Sequence, residues 1–385
     1  MKRKRVLILD GYARQTLPMA KGFKQNGCEV TVACFSRLDV GYWSRWPDHK
    51  ILMECAKNDY PKQYEIVKAL LEKGKFDLVV PMTDYSATYL ARNKEYLSKF
   101  AAIAVNDWDI FELAIDKLKT MRICQDNGIP APKTLFTENV KADIEKINFQ
   151  YPLVIKPRSA CGSIGFNIVK DKEHLLCLLA NDENANGPLF IQEYIPQKGS
   201  QYGAEAFRDR NGNFSFILID EKPRWFPLDG GSPTINITIH NEQMETMTRK
   251  LLDAMNWNGY ANIDFVLDER DDVPKIIEIN GRISAAALID FKAGIDVAKV
   301  ILENAFSEEI TEYKAYPENV KTSCILTEIL WFAKSKERFK QKPSFLNRKK
   351  TSDVIFSWSD PLPFFVFCVQ SAMNYRHAME QRKRK

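Results

Sequence analysis

The stretch Y-A-N-I-D-F-V-L-D-E-R-D-D-V-P-K-I-I-E-I-N-G-R, residues 260–282, decides how this chain is read. Two apolar runs rich in Ile, Val and Phe flank an acidic turn, the pattern of an antiparallel hairpin. Side chains alternate across a strand, so Asn262 and Asp264 share one face of the first run. Glu278 and Asn280 share one face of the second, and in a hairpin the two faces can coincide. A carboxylate buried among aliphatic side chains is costly unless a cation compensates it. Two carboxylates and an amide oxygen are hard ligands of the kind Mg²⁺ accepts beside phosphate oxygens. The alternative is a hairpin at a sheet edge with its acids in water.

Outward from the hairpin, size and charge bound the answer. A chain of 385 residues, 45% of them hydrophobic, is expected to form two or three domains. Fifty-five basic residues against 50 acidic give a net charge of +5, no global field for nucleic acid. The excess is local, at Lys2 to Arg5 and in the last fifty or so residues. Eight cysteines without a C-x-x-C pair and only four histidines argue against zinc and suit a reducing cytoplasm. Val6 to Leu9 is too short for a secretory signal, and Leu362 to Val369 is too short to span a bilayer. A soluble, intracellular protein is the expectation.

Strands and helices alternate over the first third. Val6 to Leu9 precedes a helix through Gln25, Glu29 to Phe35 is the next strand, and a helix near Gln63 to Lys73 leads to the strand Phe76 to Pro81. This order predicts a parallel sheet covered on both faces. The turn D-G-Y-A-R after the first strand lacks G-x-G-x-x-G, which leaves a dinucleotide site poorly supported. Thr83 and Asp84 fall at the carboxyl edge of that sheet, where they either meet a ligand or cap the next helix. Pro130 and Pro132 mark a connector. From Tyr151 short strands predict an α+β region with antiparallel sheets, and after about Thr311 the chain reads as irregular, aromatic and basic.

Lys156 ends the buried run L-V-I-K-P, and R-S-A-C-G-S-I-G-F follows it. The small residues Ser159, Ala160, Gly162, Ser163 and Gly165 allow backbone N–H groups to approach phosphate oxygens. The spacing is not that of a Walker A loop, and a plain hairpin turn remains the competing reading. F-I-Q-E-Y-I-P, residues 190–196, leaves a strand into an extended segment able to meet a purine edge.

Lysine strand, glycine loop, E-Y-I hinge and D…E-x-N hairpin, in that order, resemble the ATP-grasp superfamily over roughly residues 1–310. The likeness is to its carbamoyl-phosphate-synthase-like and biotin-carboxylase-like carboxylate–amine ligases. It implies an N-terminal parallel α/β preATP-grasp domain over residues 1–115, followed by an ATP-grasp domain with antiparallel sheets over 116–310. That domain would divide into a small lid subdomain at about 130–195 and a larger subdomain at about 196–310, leaving a basic and aromatic segment over 311–385. Lys117 and Lys156 would contact the nucleotide phosphates, with Lys156 and Arg282 the catalytic pair. Ser159, Gly162, Ser163 and Gly165 would line the lid, and Gln192, Glu193, Tyr194 and Ile195 would hold adenine. Asp264, Glu278 and Asn280 would coordinate two Mg²⁺, with Mn²⁺ an alternative, and Arg282 would face an acyl-phosphate. Two departures stand out: Gln201 occupies the place where many relatives carry a ribose-binding glutamate, and G-R-I-S-A-A-A follows Asn280 in place of a more glycine-rich stretch.

The implied activity is ATP-dependent joining of a small-molecule or lipid-linked carboxylate to an amine, with a homodimer as the expected assembly and no nucleic-acid partner. Chains of this kind resemble those of bacterial cell-surface polysaccharide clusters. Bicarbonate activation and non-catalytic ATP sensing are the alternatives. Lys222 and Arg224 are further candidates for an anionic substrate or the γ-phosphate. Lys334 to Lys350 holds eight basic residues and one acidic one, ahead of F-S-W-S-D-P-L-P-F-F-V-F. This segment either packs on the body or touches an anionic membrane at the inner face of the cell.

Overall fold

Short apolar runs, Arg5–Ile8 (β1), Glu29–Cys34 (β2), His49–Leu52 (β3), Leu78–Val80 (β4) and Ala102–Ile103 (β5), pair in parallel in the order β3-β2-β1-β4-β5. The structure is a computed structural model that describes residues 3–159, 165–181, 188–228, 231–307 and 309–383, with the backbone alone at 181, 198 and 374–383. Val6, Leu7 and Ile8 are fully buried, as continuous apolar strands covered on both faces must be. The helix Thr16–Gln25 covers one face and Tyr60–Glu72 the other, the latter opened by Asp59 capping and Pro61 in the first turn.

Beyond the two prolines the chain builds a separate four-stranded antiparallel sheet. Its strands are Thr134–Leu135 (β6), Leu153–Pro157 (β7), Asn167–Val169 (β8) and Leu189–Glu193 (β9), in the order β6-β9-β7-β8. It has its own small core of Leu153, Ile155, Leu175 and Ile191. The largest sheet follows: Gln197–Arg208 (β10), Phe214–Lys222 (β11), Ile235–Ile239 (β14), Gly259–Asp268 (β15), Pro274–Asn280 (β16), Lys321–Ser323 (β17) and Thr351–Asp353 (β18). The order is β16-β15-β10-β11-β14-β17-β18, antiparallel except for the last pair, and Trp225–Phe226 (β12) pairs with Ser232–Pro233 (β13) alongside. The result is a mixed α/β chain with a parallel sheet first and antiparallel sheets after it.

Both crossings into the small sheet are fastened to one hairpin. Ile276 on β16 donates to Pro130 O at 3.0 Å, and Glu269 in the β15–β16 turn donates to Pro196 O at 3.0 Å. Glu193 draws the crossings together, accepting from Lys133 N at 2.9 Å and from Arg270 at 3.1 Å.

The last 75 residues are more regular than their composition suggests. Ile325–Lys334 and Leu362–Lys383 are helices. The second has apolar residues all round its first three turns and no capping signal beyond Pro361, so no helical period stands out in the sequence. Phe364 and Phe367 pack against Leu17, Val40 and Ile355, whereas Trp358 is 90% exposed. The packed reading of this segment therefore holds for Phe364 and Phe367 and not for Trp358.

Candidate active site

The hairpin register sets the site. Asp264 lies directly opposite Glu278, and Asn262 opposite Asn280, so all four share one face of the sheet. A bulge follows at once: Phe265 pairs with Ile276, which leaves Ile277 unopposed. Bulges of this type re-aim neighbouring side chains and gather near functional sites. The same face continues across β10 and β11 as the row Glu278–Asp264–Gly203–Asp220.

Each carboxylate of the facing pair has a lysine. Lys117 opens the helix Lys117–Asp126, and its Nζ lies 3.3 Å from Glu278. Asp116 holds that helix end in place: it caps the N–H groups of Leu118 and Lys119, and it takes a two-pronged bond from Arg158 (3.0 and 3.1 Å from Nε). Arg158 O in turn accepts from Lys117 N at 3.0 Å. The turn after β7 is thereby pinned to the lysine helix, and Lys117 and Lys156 face the same acid.

Lys156, on β7, is half-buried with its ammonium 5.4 Å from the Phe190 ring centre. Burial lowers its pKa to about 8, against the pull of Glu278 and with help from Lys117. A phosphate placed against this lysine would restore the charge. Nucleotide binding is therefore expected to take up a proton above pH 8 and to weaken as pH rises through that value. Calorimetry in buffers of different ionisation heat measures this, and binding without proton uptake at alkaline pH would refute it.

Lys222 is buried on β11 and reaches Asp264 at 2.6 Å. Burial opposes its charge, yet Asp264, Asp220 and Glu205 together hold its pKa above the ordinary lysine range. It crosses over Gly203, where an added Cβ would stand 2.5 Å from both Lys222 Nζ and Asp220 Oδ1. A side chain there would push the ends of Lys222 and Asp220 aside, so glycine leaves this charge cluster its room. Burial, reinforced by Asp220, lifts Glu205 to about 7, and Tyr260 and Asn262 donate to its two oxygens at 2.5 and 3.1 Å. Asp220 accepts from Asn236 on one oxygen, while its Oδ1 and that of Asp290 are buried acceptors without a hydrogen-bond partner among the described residues. Burial raises the pKa of both.

Arg282 closes the site at the N-terminal sheet. Its guanidinium donates to Asp84 at 3.4 Å and to Asn280 Oδ1 at 3.3 Å. Thr83 caps the helix Asp84–Arg92, so in this pair one residue ends a helix and the next faces the cleft. Arg14 donates to Ala285 O and Gln15 to Met82 O, joining the same two regions.

The remaining sequence candidates sit as follows. Gln192 is buried and donates to Thr134 Oγ1 at 3.0 Å, so its side chain points along the small sheet. The Glu193 carboxylate is engaged by Lys133 and Arg270, and the N–H groups of Glu193 and Tyr194 donate to Lys133 O (2.8 Å) and Pro152 O (3.4 Å). Ile195 is buried. Gln201 stands across from Lys222 and Val266. Ser159 is exposed and Gly165 has a φ of 72°, while Gly162 and Ser163 lie outside the described residues. Arg224 is removed from the candidates: it is buried, bonded through two nitrogens to Glu328 (2.8 Å from Nε) and stacked on Trp331. The buried acids Glu205, Asp220 and Asp290 escaped sequence reading, although Gln201, Gly203 and Glu205 repeat at a period of two just as the hairpin residues do.

Among the described residues no group of three or more His, Cys, Asp or Glu side chains gathers as a metal cage. Two facing carboxylates beside an amide oxygen instead suit a cation completed by phosphate oxygens, the habit of Mg²⁺.

Residues 114–286 match the family model of the ATP-grasp domain. D-aspartate ligase of Enterococcus faecium (strain Aus0004) is 23% identical over 252 residues, covering 60% of this chain and 59% of that protein. The carbamoyl phosphate synthase large chain of Thermoanaerobacter sp. (strain X514) is 25% identical over 289 residues, 70% of this chain but 26% of that one. The chain thus spans less than two thirds of either relative. Among solved structures, biotin carboxylase from Campylobacter jejuni, in its β-γ-ATP complex, superposes with a TM-score of 0.70 at 15% identity, over 83% of this chain and 74% of the other. L-amino acid ligase from Bacillus licheniformis gives 0.61 at 19% identity, over 79% and 75%. At such identities the structures speak for the fold alone.

Proposed function

Because this chain carries an ATP-grasp domain, we propose that it is an ATP-dependent ligase that activates a carboxylate as an acyl-phosphate and joins it to an amine. One observation carries the reading: the facing pair Asp264 and Glu278, held between Lys117 and Lys222 and closed off by Arg282. Like charges directly opposite on neighbouring strands destabilise a sheet unless cations attend them; Lys117 and Lys222 meet that demand, and a nucleotide metal would take over the part of Lys117 as it turns to phosphate. Asp264, Glu278 and Asn280 would hold Mg²⁺, which supplies charge neutralisation on the transferring phosphoryl group.

Lys117 and Lys156 bind the phosphates, Lys117 exchanging Glu278 for a phosphate oxygen as the nucleotide arrives. On the sequence resemblance, Ser159 and the loop that carries Gly162, Ser163 and Gly165 would exclude water, which would otherwise hydrolyse the acyl-phosphate. The segment from Gln192 through Glu193 and Tyr194 to Ile195 borders the adenine, and Gln201 meets the ribose. A substrate carboxylate oxygen attacks the γ-phosphorus and ADP leaves. The amine nitrogen then attacks the acyl carbon, phosphate leaves, and the nitrogen gives up its proton. Arg282, oriented by Asp84 and Asn280, steadies charge on the acyl-phosphate. The names of the relatives, a D-aspartate ligase and an L-amino acid ligase, favour an amino acid as the amine. A lipid-linked carboxylate and a place in cell-surface polysaccharide assembly extend the proposal on sequence resemblance.

The test is Mg²⁺-dependent ADP release screened with paired carboxylates and amino acids. Stimulation by one pair, with a product equal in mass to the condensed amide, is the expected result. Release driven by bicarbonate alone would replace this reading with a carboxylate-activating one of the bicarbonate type. Nucleotide binding with no stimulated release from any small-molecule or lipid-linked pair would leave a sensor.

A further inference from the structure

The helix Leu362–Lys383 lies on the body through Phe364 and Phe367, and over its first three turns the other side is exposed among the described residues. The exposed large side chains there are Leu362 (51%), Phe365 (60%), Val369 (50%) and Met373 (64%). Their spacing of three, four and four residues puts them on one side of the helix over three turns. Trp358, 90% exposed, is joined to the stripe by a run of ring contacts: Phe356 meets Trp358 and Phe364, and Phe364 meets Phe365 at 5.9 Å. An apolar ridge of this size in water calls for an occupant.

Charge selects which one. Residues 334–385 carry thirteen basic and four acidic side chains, whereas the other 333 residues carry 42 basic and 46 acidic. Two copies facing each other across this segment would repel. An anionic surface would be drawn to it, and aromatic and aliphatic side chains flanked by lysines and arginines are what an interfacial helix presents to phospholipid. Beneath Trp358 a cavity of about 640 Å³, between the segment 351–360 and the body, adds a recess with the ammonium groups of Lys21 and Lys292 and the rings of Trp46 and Phe291. Asp353 and Asp360 also line it, but their oxygens are committed to the N–H groups of Ile325, Ile355, Phe356 and Arg45 and to the Ser44 hydroxyl. No described helix is long and apolar enough to cross a membrane.

We propose that the ridge of Trp358, Leu362, Phe365, Val369 and Met373 docks on the surface of an anionic phospholipid bilayer, with the flanking lysines and arginines on the headgroups. The contact stands apart from the ligase reading, since it uses none of the residues assigned to ATP.

The experiment is co-sedimentation of the full chain with vesicles of phosphatidylcholine, alone or mixed with phosphatidylglycerol. Binding to the mixed vesicles only, weakened by salt, is expected. Each cation beside an anionic leaflet contributes about fivefold to partitioning, so Lys349→Gln with Lys350→Gln should lower it about 25-fold. Phe365→Ser with Val369→Ser should lower it as well while leaving nucleotide binding unchanged, which shows the fold intact. Equal binding to both vesicle types, or to neither, would overturn the proposal. So would a dimer in sedimentation equilibrium that the Phe365→Ser, Val369→Ser variant dissociates, because the ridge would then cover a second copy.

Discussion

In the Glu278→Gln variant, ATP turnover is expected to fall on the order of 10³-fold while the fold persists. The substitution keeps the volume of the side chain and its place opposite Asp264, but it removes one of the two facing charges. The charge that a nucleotide metal requires is then halved, and Lys117 loses its partner at 3.3 Å. The Glu278 side chain is 28% exposed, and a pair open to water in this way contributes little to stability, about 0.5 kcal/mol. Relief of the like-charge contact with Asp264 works in the opposite direction. Thermal unfolding without ligand should therefore be close to that of the parent protein. The upward shift that Mg²⁺ and nucleotide produce in the parent should be largely lost. Turnover retained at more than a tenth of the parent rate would remove Glu278 from the chemistry.

Replacing Lys222 by Met is expected to cost roughly 3–5 kcal/mol of folding stability, the usual penalty for stranding buried charge by deleting its partner. Lys222 is the ammonium among Asp264, Asp220 and Glu205, and Asp220 already has one oxygen without a hydrogen bond. The loss should depend on pH. Glu205 and Asp220 have folded-state pKa values raised by burial, so their neutral forms are favoured in the native protein. Stability from such groups is complete below the unfolded value and lost as pH rises through the folded one, here about 7 for Glu205. Without Lys222 those values rise further, and the variant should be weakest, relative to the parent, on the alkaline side. Denaturant unfolding of both proteins on either side of neutrality checks this. A deficit that does not grow with pH would mean the lysine acts through packing alone.

The hairpin was legible because its departures from an apolar pattern were expensive ones: Asp264 and Glu278 in runs of Ile and Val have no cheap explanation. The same logic was available for Glu205 and Asp220, but Glu205 is the one acid of its strand and Asp220 stands beside Glu221 at the end of its own, and acids so placed are common on solvated faces. Lys222 was visible as a cation and not as a buried one, since its partner Asp264 lies 42 residues on, in a strand that reaches it only through the sheet. Arg224, two positions later, had the same appearance and a different fate, because its partner Glu328 arrives from a helix more than a hundred residues away. The anchoring of Lys117 by Asp116 and Arg158 was hidden for the same reason. The terminal helix was missed where local composition, apolar on every side, erased the periodicity that announces helices.

The hairpin that carries Asp264 and Glu278 also holds both chain crossings of the small sheet, through Ile276 to Pro130 and Glu269 to Pro196. One element thus has two loads, a charged site at one end and the two anchor points of the small sheet along its length. Thermodynamic reciprocity then applies: whatever free energy couples the anchoring of the small sheet to a ligand at the carboxylates acts equally in both directions. A substitution such as Arg270→Ala, far from any phosphate, would be felt as a change in that shared coupling, with the ligating groups themselves untouched.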